Sequence, residues 1–249
     1  MGHTLVAWDE DEDTATLANL AAVVDQSVGT NGDFVRVPPG MDQLGAVYAG
    51  GVNISLARMQ SPSLRDLVNP DIAPLDQAAE PSSPYPLFDH FSSPIALQAG
   101  ENLEALAAED GAGSTRRIIG AWLVDGPAQP VAGDQSTVRC TGTTTLVANA
   151  WTAVELTFGQ TIPAGRYQVV GARFLSATAI FGRLVVPGAP WRPGAVAQDD
   201  EGDLENPIFR NGRLGVWTEF DSVQSLQAEF LATAGDTAET VYLDIVKVG

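Results

Sequence analysis

Alternation of apolar and polar residues is the dominant pattern in the C-terminal two thirds of the chain. Val154, Leu156 and Phe158 alternate with polar residues, which is typical of a strand with one buried face. Residues 117–124 are apolar on both faces and end at the turn sequence of residues 125–127, as expected for a central strand. The pattern predicts β structure throughout this part of the chain.

Further strand-like segments recur at spacings of about 8–15 residues, with turn residues between them. They comprise residues 95–98, 103–106, 137–141, 143–147, 167–174, 180–186, 208–210, 213–217 and 240–248. Asn211-Gly212 joins two of these segments and is a strong signal for a two-residue hairpin. Because long amphipathic helices and alternating βα units are absent from the sequence, we expect an all-β, antiparallel β-sandwich rather than a Rossmann fold or TIM barrel.

The first 93 residues have a mixed pattern. Apolar residues at helical spacing predict a short helix that begins near Thr14, with its apolar face at Leu17, Leu20, Ala21 and Val24. Ser61 followed by Pro62 predicts one capped helical turn.

A proline-rich stretch indicates the domain boundary. Proline recurs between residues 70 and 86 among Ser and Ala, which is typical of an extended connector. We therefore predict a boundary within residues 76–93. Residues 1–93 would form a mixed N-terminal extension of short strands, a short helix and the connector, and residues 94–249 would form the sandwich.

Charge and hydropathy exclude several classes of protein. The 249 residues include 31 Asp and Glu against 13 Lys and Arg, for a net charge of -18. A chain so acidic repels phosphate backbones, so we expect no direct sequence-specific binding of nucleic acid. The apolar content is high enough for a core, yet no run approaches the roughly 20 residues of a membrane span. The N-terminal sequence also lacks the basic and apolar regions of a signal peptide.

The residues that most often carry catalysis or bind metals are scarce. The sequence has two histidines, His3 and His90, and a single cysteine, Cys140, so it offers no zinc motif and no disulfide framework. Cys140 is expected to be buried in a strand. His90 lies near Phe88 and Phe91 and is expected to pack against them, since no G-x-S-x-G motif supplies a nucleophile. We predict no catalytic, cofactor-binding or metal-binding residues, and hence no cofactor.

Three charged or glycine-rich segments were considered as ligand sites. The acidic run of residues 9–13 is interpreted as a solvated helix entry, because it lacks the spacing of a calcium loop. Residues 199–205 are interpreted as a solvated tip of the long loop 187–207, with divalent-cation binding between subunits as the alternative. Gly111–Thr115 is interpreted as a flexible turn. Arg116-Arg117 after it is interpreted as a charged pair that protects an edge strand from pairing with another chain, or as part of an interface ion pair.

Arginine and tryptophan are concentrated in the second half of the chain. Three tryptophans, Trp151, Trp191 and Trp217, lie among seven of the twelve arginines: 139, 166, 173, 183, 192, 210 and 213. These residue types are enriched at protein interfaces. The alternative is that strands place Arg outward and Trp inward, as in any sandwich.

The order of four segments resembles the jelly-roll coat proteins, or major capsid proteins, of icosahedral viruses of bacteria and archaea. These segments are Pro94–Glu101, Ile119–Leu123, Thr161–Gly171 and the apolar positions Val241, Leu243 and Ile245. The resemblance implies a single jelly roll over residues 94–249 that assembles into a shell and has no catalytic residues. This chain differs from many small coat proteins in one respect, because an acidic run stands where they have a basic N-terminal arm.

We therefore hypothesise a structural virion protein, a major capsid protein and not an enzyme, that is made in the host cytoplasm and resides in the virion. Its expected partners are copies of itself and other virion proteins. One alternative is a carbohydrate-binding sandwich or tail-associated adhesin, for which Trp151, Trp191 and Trp217 would form an exposed row. Another is a hydrolase on a jelly-roll scaffold that uses two of the many carboxylates.

Overall fold

Strands make up most of the chain in the computed structural model, which describes residues 1–12, 15–65, 69–76, 88–110, 115–202 and 204–248. The chain divides into two compact units. The N-terminal unit comprises the described residues of Leu5–Ala79 and Tyr85–Pro127, and the C-terminal unit comprises Met1–Thr4 with the described residues of Ala128–Gly249. The predicted all-β, antiparallel class is confirmed.

Among the described residues before position 125, the structure has twelve strands and one helical turn. The strands are β1 His3–Glu12, β2 Ala18–Asn19, β3 Thr30–Asn31, β4 Phe34–Arg36, β5 Gln43–Gly51, β6 Ile54–Gln60, β7 Asp71–Ile72, β8 Leu75–Asp76, β9 Phe88–Asp89, β10 Ile95–Ala96, β11 Asn102–Glu109 and β12 Thr115–Val124. The helical turn α1, Pro62–Arg65, is capped as predicted, since the Ser61 hydroxyl accepts a hydrogen bond from the Leu64 N–H at 3.2 Å. Within the described residues, no helix is long and apolar enough to cross a membrane.

These strands form two sheets in the N-terminal unit. One has the order β1-β12-β5-β10, with β8 and β9 also paired to β5. The other has the order β3-β4-β11-β6-β7, with β2 paired to β11. Strand β5 lies at the centre of the first sheet and pairs with β12 from Arg117↔Gly51 to Val124↔Gln43.

The described residues of the C-terminal unit form eight strands. They are β13 Ser136–Gly142, β14 Trp151–Phe158, β15 Arg166–Leu175, β16 Ala179–Val185, β17 Gly194–Val196, β18 Thr218–Asp221, β19 Leu226–Ala232 and β20 Glu239–Lys247. Their hydrogen-bonding order is β17-β16-β19-β14-β13-β20-β15-β18, and every neighbouring pair is antiparallel. Strand β14 connects the two halves because its end pairs with β13 and the rest of it pairs with β19.

The strand order of the C-terminal unit is that of a jelly roll. Half of the path joins the first, eighth, third and sixth strands of the unit, and the other half joins the second, seventh, fourth and fifth. The N-terminal unit repeats this order with β1, β12, β5 and β9 or β10 in one sheet and β4, β11, β6 and β7 in the other. The chain therefore contains two jelly-roll sandwiches of the same topology.

This arrangement groups the strands differently from the sequence interpretation. A division into residues 1–93 and 94–249, with one jelly roll in the second part, assigns β10, β11 and β12 to the C-terminal sandwich. The structure places them in the N-terminal unit. The physical reason is long-range pairing, since β12 and β10 form hydrogen bonds with β5, and β11 forms them with β6.

Two local predictions are wrong. The helix expected near Thr14 is not formed over the described residues, because Ala18 and Asn19 pair with β11 and Val24 is 79% exposed. The Asn211-Gly212 turn forms, with positive φ at both residues, but its flanks are not strands. Residues Pro207–Phe209 form a 3-10 helix instead.

Each unit has its own aromatic core. In the N-terminal unit, Trp122 is fully buried and contacts Phe91 edge to face, with ring centroids 6.2 Å apart. In the C-terminal unit, Phe174 contacts Phe230 in the same manner at 5.9 Å, and both rings are fully buried. Burial of side chains of this size is the main stabilising contribution to each sandwich.

Gly182 tests how tightly the C-terminal core is packed. A Cβ atom at this position of β16 would lie 2.2 to 2.6 Å from side-chain atoms of Phe174. We expect Gly182→Ala to lower the free energy of unfolding by about 1–3 kcal/mol, because overpacking forces the ring from its position. Urea denaturation measures this difference. Gly235→Ala is the control, since its Cβ would meet its nearest atom at 3.7 Å, and an equal effect of both substitutions would contradict the packing argument.

Candidate functional site

The most extensive polar network of the C-terminal unit surrounds Asp244, a fully buried carboxylate on β20. Arg210 binds it through two nitrogens, with Nε 2.7 Å from Oδ2 and Nη2 2.8 Å from Oδ1. The Thr137 hydroxyl donates to Oδ1 at 2.7 Å, and the Asn211 N–H donates to Oδ2 at 2.8 Å. The remaining arm of Arg210 reaches Glu205. A bidentate guanidinium contact of this kind fixes both partners.

This network is suited to fixing a loop on a sheet rather than to acid–base chemistry. Burial alone would raise the pKa of Asp244, but hydrogen bonds from Arg210, Asn211 and Thr137 outweigh that effect and hold the pKa below its ordinary value. Each carboxylate oxygen already accepts two hydrogen bonds. The network thereby attaches residues 205–211 to the centre of the sheet.

A second network involves one of the tryptophans singled out from the sequence. The Arg183 guanidinium lies 3.8 Å from the ring centroid of Trp151, within cation–π distance. Its Nε donates to Glu229 Oε2 at 2.7 Å. Arg183 is 2% exposed, so this arginine is a packed component of the unit rather than an outward-facing charge.

Trp217 is also part of the interior. It is 4% exposed and contacts His3 edge to face at 4.7 Å and Phe209 at 6.3 Å. Trp191 is half-buried, as is Trp151. An exposed row of the three tryptophans, which the carbohydrate-binding alternative requires, is therefore not formed.

The remaining candidates are distributed over both units. His90 packs against Phe88 with ring centroids 4.3 Å apart, and Cys140 is fully buried, which raises the pKa of its thiol to about 12. Arg116, interpreted as an edge guard or an interface ion pair, binds Asp9 within its own unit, with Nε 2.6 Å from Oδ1. Asp9 lies in β1 and not at a helix entry.

Part of each remaining segment lies outside the described residues: Asp13 in the first acidic run, residues 111–114 in the glycine-rich turn and Asp203 in the second acidic run. In the second run, Glu205 binds Arg210. Among the residues that the structure describes, no group of three or more His, Cys, Asp and Glu side chains is arranged to hold a metal ion.

Two buried titratable groups were not identified from the sequence pattern. His3 is completely buried, and its Nε2 accepts a hydrogen bond from the Gly194 N–H at 3.2 Å. Burial lowers the pKa of His3 to about 3, so the ring is neutral at pH 7. Glu239 on β20 is 1% exposed, and its carboxyl oxygens have no hydrogen-bond partner in another described residue. Burial raises the pKa of Glu239 to about 7. The hydrogen bond from its own backbone N–H lowers the pKa, and the negative charge of Asp236 raises it further.

A groove opens at one end of the C-terminal sandwich, with a volume of about 350 Å³. Its inner wall is apolar and consists of Val138, Tyr167 and Ile245, whereas Asp134 and Lys247 lie at its rim. The lining contains neither histidine nor cysteine. The groove has the volume of a small-molecule site but no nucleophile–base pair.

Among known proteins, this chain is similar to two solved structures. No protein-family model matches the chain, and no curated protein matches it. The crystal structure of the major capsid protein P2 from bacteriophage PM2 aligns with 99% of this chain and 98% of its own, at 11% sequence identity and a TM-score of 0.24. The crystal structure of the STIV MCP aligns over 97% of both chains, at 9% identity and a TM-score of 0.25. At these values the strand order of each unit, not the two matches, assigns the fold.

Glu239 predicts a loss of stability as the pH rises from about 4.5 to about 7. A carboxyl whose pKa is about 7 when folded and near 4.5 when unfolded favours the folded state at low pH, and this contribution is lost as the pH rises through 7. We expect about 3 kcal/mol of stability to disappear between pH 4.5 and pH 8. Glu239→Gln should remove this slope and be the more stable protein at pH 8. Denaturation at several pH values measures it, with the exposed Glu155→Gln as control.

His3 predicts a loss of stability in acid. The unfolded state binds a proton near pH 6.5, whereas the folded state binds it only near pH 3, so stability falls as the pH is lowered through this window. The loss is about 4–5 kcal/mol. His3→Gln retains an acceptor for Gly194 but does not titrate, and should give a flatter pH profile than the wild type. His90→Gln is the matched control, and identical slopes for His3→Gln and wild type would refute the assignment.

Proposed function

We propose that this chain is a structural virion protein, a major capsid protein whose copies assemble into an icosahedral shell. The observation that supports the proposal is the jelly-roll strand order, present twice in the chain. Jelly rolls recur in viral capsid subunits and in lectin domains. The resemblance to viral coat proteins implies a single jelly roll over residues 94–249, and the structure has the jelly-roll order in each of its two units.

The three tryptophans do not form an exposed row, and this favours a capsid protein over a carbohydrate-binding module. Sugar-binding faces require aromatic rings that a ligand can reach, and Trp217 is buried against His3 and Phe209. The ring of Trp151 is in contact with the guanidinium of Arg183, which covers one of its faces. A fold of this kind hosts many functions, so the side chains and not the architecture distinguish the two.

Loops of the C-terminal unit provide apolar surface for contacts between copies. Three large apolar side chains are strongly exposed on them: Val147 at 58%, Leu204 at 72% and Val223 at 87%. The outermost strands of the sheet, β17 and β18, are only three and four residues long. Such short edges are poor templates for strand addition, so assembly would proceed through loops and sheet faces. The partners in this proposal are copies of the chain and other virion proteins, and its location is the virion.

Assembly of the purified full chain tests the proposal directly. Size-exclusion chromatography with light scattering, followed by negative-stain imaging, should detect large oligomers or closed particles over a range of protein and salt concentrations. Subunit contacts of the size needed for a stable shell, at least about 1,000 Å² each, should make association depend on protein concentration. A strictly monomeric protein under all of these conditions would rule out a shell-forming role.

A further inference from the structure

Three side chains form a row across the central strands of the C-terminal sheet. Arg139 on β13 stands opposite Tyr242 on β20, and Tyr242 in turn stands opposite Arg173 on β15. Directly opposite residues project from the same face of a sheet. Val241 and Leu243, the chain neighbours of Tyr242, are fully buried in the core. Alternation therefore places the row on the outer face.

The two ends of this row differ in their electrostatic surroundings. At one end, Arg173 donates to the side chain of Gln198 at 2.6 Å and to the carbonyl oxygens of Asp200 and Glu201 at 3.1 and 3.3 Å. These contacts hold an exposed acidic loop, Asp199–Gly202, beside Arg173. At the other end, Arg139 is exposed.

Arg139 is exposed, and its charge is not paired with a carboxylate of the described residues. It donates to the Thr240 hydroxyl at 3.2 Å, but it forms no ion pair with any carboxylate of the described residues. Six other arginines are paired within their own units: Arg58, Arg116, Arg117, Arg166, Arg183 and Arg210. In a chain with 31 acidic and 13 basic residues, an outward-facing arginine without a carboxylate is available to another molecule.

The geometry of the row makes the face self-complementary. Adjacent strands are about 4.8 Å apart, so the backbones at Arg139 and Arg173 are separated by about 10 Å. Arg139 thus lies at one end of a short patch, and at the other end the three carboxylates of residues 199–201 outnumber the single positive charge of Arg173. Rotation of a second copy about a two-fold axis near Tyr242 would bring its acidic loop onto Arg139 of the first copy. The same rotation would bring its Arg139 onto the acidic loop of the first copy, as an isologous contact requires.

We propose that this outer face binds a second copy of the chain, with Arg139 of each copy paired to the Asp199–Gly202 loop of the other and Tyr242 at the centre. The second copy is favoured as the partner because it carries an acidic loop that complements the charge of Arg139. The inference rests on the proposed self-assembly and specifies one of its contacts.

Charge reversal tests this contact. Arg139→Glu should weaken dimer formation, measured by sedimentation velocity at low salt, by at least about tenfold in Kd. Arg213→Glu is the matched control, because Arg213 is also exposed in the same unit but is not part of the row. The control should retain the wild-type Kd. Raising the salt concentration should weaken wild-type association, since the contact is between exposed charges.

A compensating substitution separates loss of the contact from loss of folding. The double variant Arg139→Glu/Glu201→Arg exchanges the charges at both ends of the patch, and a two-fold contact should therefore recover most of the wild-type affinity. The inference is overturned if Arg139→Glu dimerises with the Kd of the wild type, or if the folded double variant does not regain the wild-type affinity. Either result leaves the proposed shell formation intact. A wild-type chain that remains monomeric throughout overturns the proposed function as well.

Discussion

Pairing between the first and last strands of each unit is the constraint on which the structure depends. In the C-terminal unit, β13 pairs with β20 over seven positions, from Ser136↔Ile245 to Gly142↔Glu239. Strand β20 is also bonded along its other edge to β15, so the strand that comes last in the chain lies inside the sheet. Contacts this distant in sequence carry a large loop-closure cost and are slow to form. The buried carboxylates on β20 and the outer face around Tyr242 exist only once this pairing is made.

Sequence patterns predicted strands well but not their partners. The alternation at residues 154–158 and the apolar run at residues 117–124 depend on the local chain, and both are strands in the structure. The pairing of β12 with β5 depends on residues some 70 positions apart, which periodicity does not encode. The Asn211-Gly212 turn was recognisable, yet its flanks were not strands, because Asp244 and Val170 draw the turn onto the sheet. Among the candidate site residues, the aromatic surroundings of His90 were predictable, whereas burial of His3 and Glu239 required the fold.

The charges of the chain acquire a different meaning once they are placed. Three of the twelve arginines are internal, since Arg117, Arg183 and Arg210 are 0%, 2% and 8% exposed and are paired with carboxylates. Removing one member of such a buried pair leaves the other charge uncompensated, at a cost of about 3–5 kcal/mol. These three arginines are therefore components of the folded interior, whereas exposed arginines such as Arg139 and Arg213 can interact with other molecules.

The first four residues impose an order on synthesis and folding. They belong to the C-terminal unit, where Thr4 accepts a hydrogen bond from the Arg192 N–H and His3 accepts one from the Gly194 N–H, both at 3.2 Å. Their partners are thus translated 188 and 191 residues later. At about 5–20 residues per second, roughly 10–40 s pass on the ribosome before these bonds can form. During that interval Met1–Thr4 lack these partners and are open to chaperones and proteases, and their binding to residues 192–194 marks the completion of the second sandwich.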